Sequence, residues 1–572
     1  MRVKLAKTAG FCWGVERALD IALDTANDTS SEVLTHGPLI HNPQTVELLE
    51  DKSVFVSDPQ ETPSSTSLVV IRAHGISPQV RDRLRSSGAG IRDATCPLVA
   101  KVHGVIRKHS RMGAFTVIIG EESHPEVEGH RGYAEAGSHL ITCMEDVSGL
   151  PDIGNRPVVV VAQTTINMRE WEDVEKAILE KYPQAQMFNT ICDATEVRQE
   201  EVKKLAPDVD LMVVVGGRNS GNTNRLVEVA KEGGADSILI ETEDEIDEEI
   251  LQQYKNIAVT AGASTPDWMI RRVVNRIEAI PDPNPNIADK IFDILKVLSR
   301  ANVLLFFSAL LGSIAITKLG GFPLSNKLAV TAGLFLFAAH TINRCVSYEA
   351  DRYNEPNRAQ FYERHKTTLL SLAVVAAFVS ILFGVSVSYL TGGIMIVGLI
   401  WAIFCSLKLE PRALVSRVMN FPTLKILVLA TGWTFGMAFL PALANSQLIS
   451  AGWVVAIFVA FGLIFFRTGL MELRDIQGDR IVGKRTLPIV LGKEQTEALL
   501  GVICAALAVV LVSASINGWV APLFGYAMLI PVIYAGACLY WYTKKILGHS
   551  GLMEAATDQI FIIAGVLVLL VV

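Results

Sequence analysis

Past Asn302 the chain runs short of charge. Lys, Arg, Asp and Glu are dense through residues 1 to 300, then thin out into short clusters between long apolar runs. Apolar runs near the ~20 residues that a bilayer requires predict a water-soluble part followed by membrane spans. Nine candidate spans follow, at about 302–321, 327–345, 368–390, 391–407, 425–445, 451–471, 496–516, 518–541 and 556–572. Threading the first from inside to outside collects Arg344, Arg352, Arg358, Arg364, Lys366, Lys408, Arg412, Arg417, Lys425, Arg467, Arg474, Arg480, Lys484, Arg485, Lys493, Lys544 and Lys545 on one side. Only Lys318 and Lys327 fall on the other. That bias predicts a multi-pass protein of the inner (cytoplasmic) membrane with its N-terminal part in the cytosol.

Residues 1 to about 280 alternate short apolar strands (67–71, 115–119, 158–161, 211–215, 256–259) with amphipathic helical periods such as Val15, Ala18, Leu19, Ala22, Leu23 and Ala26. This is α/β alternation, and function is expected in the loops at strand C-terminal ends. The prolines of Pro281-Asp282-Pro283-Asn284-Pro285-Asn286 cannot continue a helix, so 281–289 reads as a linker between domains at 1–280 and 290–572. A net charge of −7 without a Lys/Arg tract predicts no nucleic-acid partner. The stretch 1–7 lacks a signal-peptide pattern, so the eight scattered cysteines are expected to be reduced and to serve as metal ligands or as small buried side chains.

Three cysteines stand in turn-like settings: Cys12 in Gly10-Phe11-Cys12-Trp13-Gly14, Cys96 before Pro97, and Cys192 before Asp193. Their similar intervals suggest three comparable sub-units, each delivering one thiolate; Cys143 is the contrast, read inside an apolar strand. Three thiolates on separate loops favour an iron-sulfur cluster over structural zinc, which usually takes four ligands in close pairs. A cluster held by three cysteines leaves one iron open as a Lewis acid. Plain burial of each thiol is the other reading. His41, His74 and His124 each adjoin a strand end beside a turn former. One such His is usually structural; three, with Ser220, Asn222 and Ser264 placed ahead of helices, suit a diphosphate. Helix capping is the alternative for the serines and Asn222.

In all these motifs, and in Gln163-Thr164-Thr165, residues 1 to about 280 resemble the 4-hydroxy-3-methylbut-2-enyl diphosphate reductases (LytB-type). The resemblance implies a 4Fe-4S cluster on Cys12, Cys96 and Cys192, and diphosphate binding by His41, His74, His124, Ser220, Asn222 and Ser264. It implies proton delivery by Glu126, with Thr164 orienting the substrate hydroxyl, and an electron donor such as ferredoxin or flavodoxin. Gly221 stands where some relatives have Ser. A neighbouring anion is expected to raise the Glu126 carboxyl.

Two acidic segments lie at span ends. One holds Asn343, Ser347, Glu349, Asp351, Asn354, Pro356 and Arg358; the other holds Asp475 and Asp479, four apart and so on one helical face. Such carboxylates suit Mg²⁺ bridging a diphosphate, and a solvated loop is the plain alternative. Residues 290–572 resemble the UbiA superfamily of intramembrane prenyltransferases, which implies Mg-diphosphate binding by Asn343, Asp351, Asp475 and Asp479. Ser347 stands where that family usually has Asp.

The reading is therefore an α/β domain of three similar sub-units around an iron-sulfur cluster, followed by an all-α membrane domain of about nine transmembrane helices. The expected activity is reductive dehydroxylation of 4-hydroxy-3-methylbut-2-enyl diphosphate to isopentenyl and dimethylallyl diphosphates, with prenyl transfer to an unknown acceptor by the second domain. The alternatives are a cluster-binding sensor in the first domain and an inactive membrane anchor in the second.

Overall fold

The computed structural model describes residues 3–40, 42–166, 168–218, 220–281, 285, 287–346, 348–406, 424–444, 450–546 and 552–571. The chain divides into two compact units, Met1–Asp282 and Pro283–Val572. Asp282, Pro283, Asn284 and Asn286 of the predicted linker, and the threaded residues Lys408, Arg412 and Arg417, lie outside the described residues.

The first unit holds three four-stranded parallel sheets. One runs β3 (Val54–Ser57), β2 (Val33–His36), β4 (Leu68–Ile71), β5 (Gly90–Asp93); a second runs β7 (Ser138–Ile141), β6 (Phe115–Ile119), β8 (Val158–Ala162), β9 (Gln186–Phe188). In both, the strand first in the chain lies second in space. The third sheet runs β11 (Asp236–Ile240), β10 (Leu211–Val215), β12 (Ile257–Ala261), β1 (Val3–Leu5). Counted from β10 with β1 as its last strand, it repeats the same order. The three sheets are one motif used three times, with the chain start falling inside the third copy.

The central strands β4, β8 and β10 are apolar throughout because helices cover both faces. In β10, Leu211, Val213 and Val215 pack with Ile270, Val273 and Ile277, whereas Met212 and Val214 pack with Leu226, Val229 and Ala230. The predicted strands all form. Cys143 is a correction: β7 stops at Ile141 and Cys143 is exposed ahead of a short turn, Met144–Gly149. The Asp146 carboxylate ends the strand by accepting from the Thr142 and Cys143 backbone N–H groups at 2.7 and 3.2 Å.

The second unit is helical. Seven of its helices are long and apolar enough to cross a membrane: Asn326–Val346, Pro356–Val387, Ile426–Leu443, Ala451–Arg474, Lys493–Ile516, Pro522–Thr543 and Leu552–Val571. An eighth counts if the pair Asp293–Arg300 and Val303–Leu319, bent by 78°, is one span. The chain is therefore a multi-pass membrane protein, with seven or eight such helices among the described residues. The stretch read as the fourth span forms the helix Tyr389–Ser406, of which Tyr389–Ile400 counts as a shorter apolar helix among the described residues. The first meets a sharp bend at Asn302, whose backbone is left-handed at φ 58° and whose side chain donates to Thr341 and Tyr362 at 3.0 and 2.9 Å. Asn tolerates that conformation better than most residues.

Candidate functional site

The threefold repeat explains where the singled-out residues fall, because all twelve parallel strands present loops at their C-terminal ends. After the first strand of each copy, the fifth residue is His41, His124 or Ser220 (41 against 36, 124 against 119, 220 against 215). After the third strand come His74, Thr164 and Ser264. After the fourth come Cys96, Cys192 and Cys12, each the residue just ahead of a helix: Pro97–Arg111, Asp193–Leu205 and Trp13–Asp28.

Each cysteine is tied to the neighbouring third-strand loop in the same way. The Cys96 N–H donates to the Ala73 carbonyl at 2.9 Å, Cys12 to Ala263 at 3.0 Å, and Cys192 to Thr164 at 2.8 Å. Their side chains converge: a Cβ on Gly14 would lie 2.6 Å from Cys96 Sγ. Burial pushes the Cys96 and Cys192 thiols up; nearby helix amides draw them partly back, and the proximity of Cys12 raises both, as Cys96 also does for Cys192. Arg198 is buried beside Cys12 and Cys192, with its guanidinium on the Gly10 and Ala194 carbonyls at 2.6 and 2.9 Å. Among the described residues no three His, Cys, Asp or Glu side chains close on a single metal ion. Three half-buried sulfurs around a common space, with a guanidinium behind them, fit a larger anionic group such as a 4Fe-4S cluster.

Glu126 stands in the helix Pro125–Tyr133 and is buried. Its carboxylate accepts from Thr164 N–H at 2.8 Å and from Thr164 Oγ1 at 2.9 Å, while His130 Nε2 stands 3.3 Å from Oε1. Burial pushes this carboxyl up, but His130, the Thr164 amide and His74 outweigh it and hold it at about 2. The raised carboxyl expected from the sequence is thus reversed in the protein alone. His124 Nδ1 accepts from the Glu126 N–H at 3.2 Å, and its ring meets that of His74 edge to face at 5.3 Å. Burial lowers His124.

Ser220 does cap its helix, accepting from Thr223 N–H at 3.4 Å. Asn222 has buried amide nitrogen and oxygen atoms with no hydrogen-bond partner among the described residues, which is what a site awaiting a polar ligand leaves. Ser264 precedes a helix capped from Pro266, so capping does not account for it. His41 lies outside the described residues. His103 and His130 were missed in the sequence. They are buried, with ring centroids 5.2 Å apart, and Tyr133 stacks on His103 at 4.3 Å.

In the membrane unit the two acidic segments meet. Asn354 Oδ1 accepts from Gly478 N–H at 3.0 Å, and Arg474 Nη1 lies 3.4 Å from Glu355. Arg358 grips Asp351 with Nε and Nη2 at 3.0 and 2.6 Å; Arg474 grips Asp475 the same way at 2.7 and 2.9 Å; Lys484 reaches Asp479 at 3.1 Å. Asp475 is the junction between Ala451–Arg474 and Ile476–Ile481 rather than a residue inside one helix, and the Asp479 N–H to Asp475 carbonyl bond of 3.0 Å preserves a single turn between them. Ser347 lies outside the described residues. Asn343 lines an apolar cavity of about 1100 Å³ with Phe335, His340, Trp433 and Phe435, where Trp433 Nε1 donates to His340 Nε2 at 2.9 Å. The sequence reading missed Glu554 and Asp558 on the last helix. Glu554 holds Arg344 and accepts from Arg358 at 2.7 Å, and Asp558 holds Arg467 at 2.6 Å. Two acids in an apolar span were the available signal.

The fold and these motifs define an α/β domain of a cysteine-anchored reductase type joined to a helical domain of a prenyltransferase type. Residues 3–278 match the LytB protein family and residues 305–556 the UbiA prenyltransferase family. A relative from Aquifex aeolicus (strain VF5), named 4-hydroxy-3-methylbut-2-enyl diphosphate reductase, is 43% identical over 282 residues, 48% of this chain and 96% of its own. A solved (E)-4-hydroxy-3-methyl-but-2-enyl diphosphate reductase is 41% identical with TM-score 0.43, covering 49% of this chain and 99% of that one. A UbiA homolog from Archaeoglobus fulgidus, solved bound to DMAPP and Mg²⁺, is 14% identical with TM-score 0.34, covering 48% of this chain and all (100%) of that one. The chain belongs to the LytB family and carries a UbiA prenyltransferase family domain in its second half.

Proposed function

We propose that residues 1–280 reduce 4-hydroxy-3-methylbut-2-enyl diphosphate to isopentenyl and dimethylallyl diphosphates, removing the allylic hydroxyl as water. The observation that carries this is the chain of contacts from Glu126 through Thr164 to Cys192, which ties a buried acid to a thiolate loop. Cys12, Cys96 and Cys192 hold the 4Fe-4S cluster, which when bound supplies electrons and a Lewis-acidic iron. His41, His74, His124, Ser220, Asn222 and Ser264 hold the diphosphate; Thr164 orients the hydroxyl and Glu126 brings the proton to it. The electrons enter from a donor such as ferredoxin or flavodoxin. Anaerobic assay of the full chain with the hydroxylated diphosphate tests the reading. Turnover with the two five-carbon products supports it, and a visible cluster band without turnover leaves the sensor alternative.

Residues 290–572, after a linker at 281–289, transfer a prenyl group to an acceptor within the cytoplasmic membrane, with the first domain in the cytosol. Asn343, Asp351, Asp475 and Asp479 hold Mg²⁺ against the donor diphosphate, and the apolar cavity beside Asn343 suits the hydrocarbon tail. One observation favours a second reading, an anchor without transfer: Asp351 and Asp475 are each already gripped at both oxygens by an arginine. Labelled prenyl diphosphate in membranes, comparing the parent with Asp475→Ala, separates the two.

A further inference from the structure

The helix Ile287–Arg300, at the start of the second unit, sorts its side chains by the helical period. Ile287, Ile291, Ile294 and Val297 form one stripe and are 51 to 79% exposed. Asp293, Lys296 and Arg300 fall on the opposite stripe, and Lys290 borders the apolar one. On the third side Leu295 is half-buried and Ser299 buried, and the helix packs against Val303–Leu319 and against the last helix, Leu552–Val571. One exposed aliphatic side chain needs no explanation, whereas four on one stripe mark a surface that meets something.

The geometry of the neighbouring span says what that is. The axis turns by 78° between Asp293–Arg300 and Val303–Leu319. The second of these has 17 residues, about 25 Å, close to the hydrocarbon thickness of a bilayer. With that helix along the bilayer normal, the 14 residues of Ile287–Arg300, about 21 Å long, climb only about 4 Å and lie nearly in the membrane plane. The turn is built into the fold: Asn302 is fully buried and left-handed, its Nδ2 donates to Thr341 and Tyr362, and its Oδ1 accepts from Arg344 at 2.5 Å. Arg344 also holds Glu554, which accepts from Arg358, so the bend stands at the end of the bundle where the acidic segments meet. Beyond Val297 the next large apolar side chain left exposed is Phe307, on the apolar helix itself, so the stripe runs on into a surface of the span.

We propose that Ile287–Arg300 lies flat in the headgroup boundary of the membrane that the bundle crosses, with its isoleucine and valine stripe among the acyl chains and Asp293, Lys296 and Arg300 toward water. Its partner is phospholipid. Helices divided in this way bury their apolar side about 5–10 Å into that boundary. Lys290, at the edge of the stripe, has an apolar stem that stays with the chains while its ammonium reaches the phosphates. Because the bend is locked, the helix also fixes the depth at which Asn302, Arg344 and Glu554 sit.

The test uses the full chain in nanodiscs of phosphatidylethanolamine and phosphatidylglycerol, with a benzophenone side chain in place of Ile294. After irradiation, mass spectrometry of the peptide that carries the probe is expected to show phospholipid adducts, about fivefold or more above those from the same probe in place of Asp293. A crosslink to residues 1–280 or to a second copy of the chain, in place of the lipid adduct, overturns the proposal. Equal lipid yields at the two positions, or no lipid adduct at Ile294, overturn it as well. If the chain altered at Ile294 does not fold, Ile291 and Val297 on the same stripe carry the probe with the same expectation. The readout involves neither enzymatic activity, so the outcome is separate from the reductase and transferase readings.

Discussion

The two sites differ in where their polar groups find partners. At the strand ends of the first unit, the Asn222 amide, the Thr223 hydroxyl and nitrogens of His103 and His130 are buried with no hydrogen-bond partner among the described residues. In the membrane unit, Asp351, Asp475 and Asp479 each already hold a cation of the protein's own. The first site leaves donors and acceptors for a ligand to complete. In the second, a metal ion must first separate carboxylate from guanidinium in a buried setting, where unpaired charge is costly.

The largest expected effect falls on the thiolates. Cys96→Ala is expected to abolish the visible cluster band and reductase turnover together while leaving prenyl transfer in the same membranes unchanged; loss of both activities would break the separation between the units. Glu126→Gln is expected to keep the band and substrate binding but to slow turnover ~10²–10⁴-fold, measured by single-turnover reduction. An unchanged rate removes Glu126 from the chemistry. In the membrane unit, Arg358→Ala leaves Asp351 and Glu554 without their shared arginine and is expected to cost about 3–5 kcal/mol, read as a fall in thermal stability in nanodiscs.

Asn222→Ala sharpens the contrast in the other direction. Because its amide bonds nothing in the described protein, stability without ligand should not change, whereas diphosphate affinity should fall about tenfold, as loss of a hydrogen bond to a charged group does. The smallest expected effect is a pH slope. Burial lowers His36 to about 4 and His103 to about 3 from an ordinary 6.5, so folding favours their neutral forms. Their contribution is complete above about 6.5 and is lost as pH falls through those lower values. Hydrogen exchange of β4 and β6 amides at stepped pH should follow it, less steeply in His103→Gln.

Much was legible before folding. Continuous apolar runs such as 158–162 and 211–215 signal strands buried on both faces, and the change past Asn302 signals spans, because both patterns are local and periodic. The three cysteines and the His124–Glu126 segment stood out because each is a reactive residue beside a turn former. His130 did not, since a histidine inside an amphipathic helix looks the same whether it faces water or a buried carboxylate. Glu554 escaped because its arginine partners lie some two hundred residues away, at Arg344 and Arg358.

The sequence by itself determined that this protein has two parts with different solvents, which segments become strands or apolar helices, and which thiols, imidazoles and carboxylates are available for chemistry. Those follow from nearest-neighbour propensity and from transfer of side chains out of water. Only the tertiary structure decided that residues 3–5 complete a sheet begun at residue 211, that His130 and Thr164 hold the Glu126 carboxyl below its ordinary range, and that the acids of the membrane motifs are already paired. A charge state and an ion pair depend on groups a few ångströms apart in space that can lie anywhere along the chain.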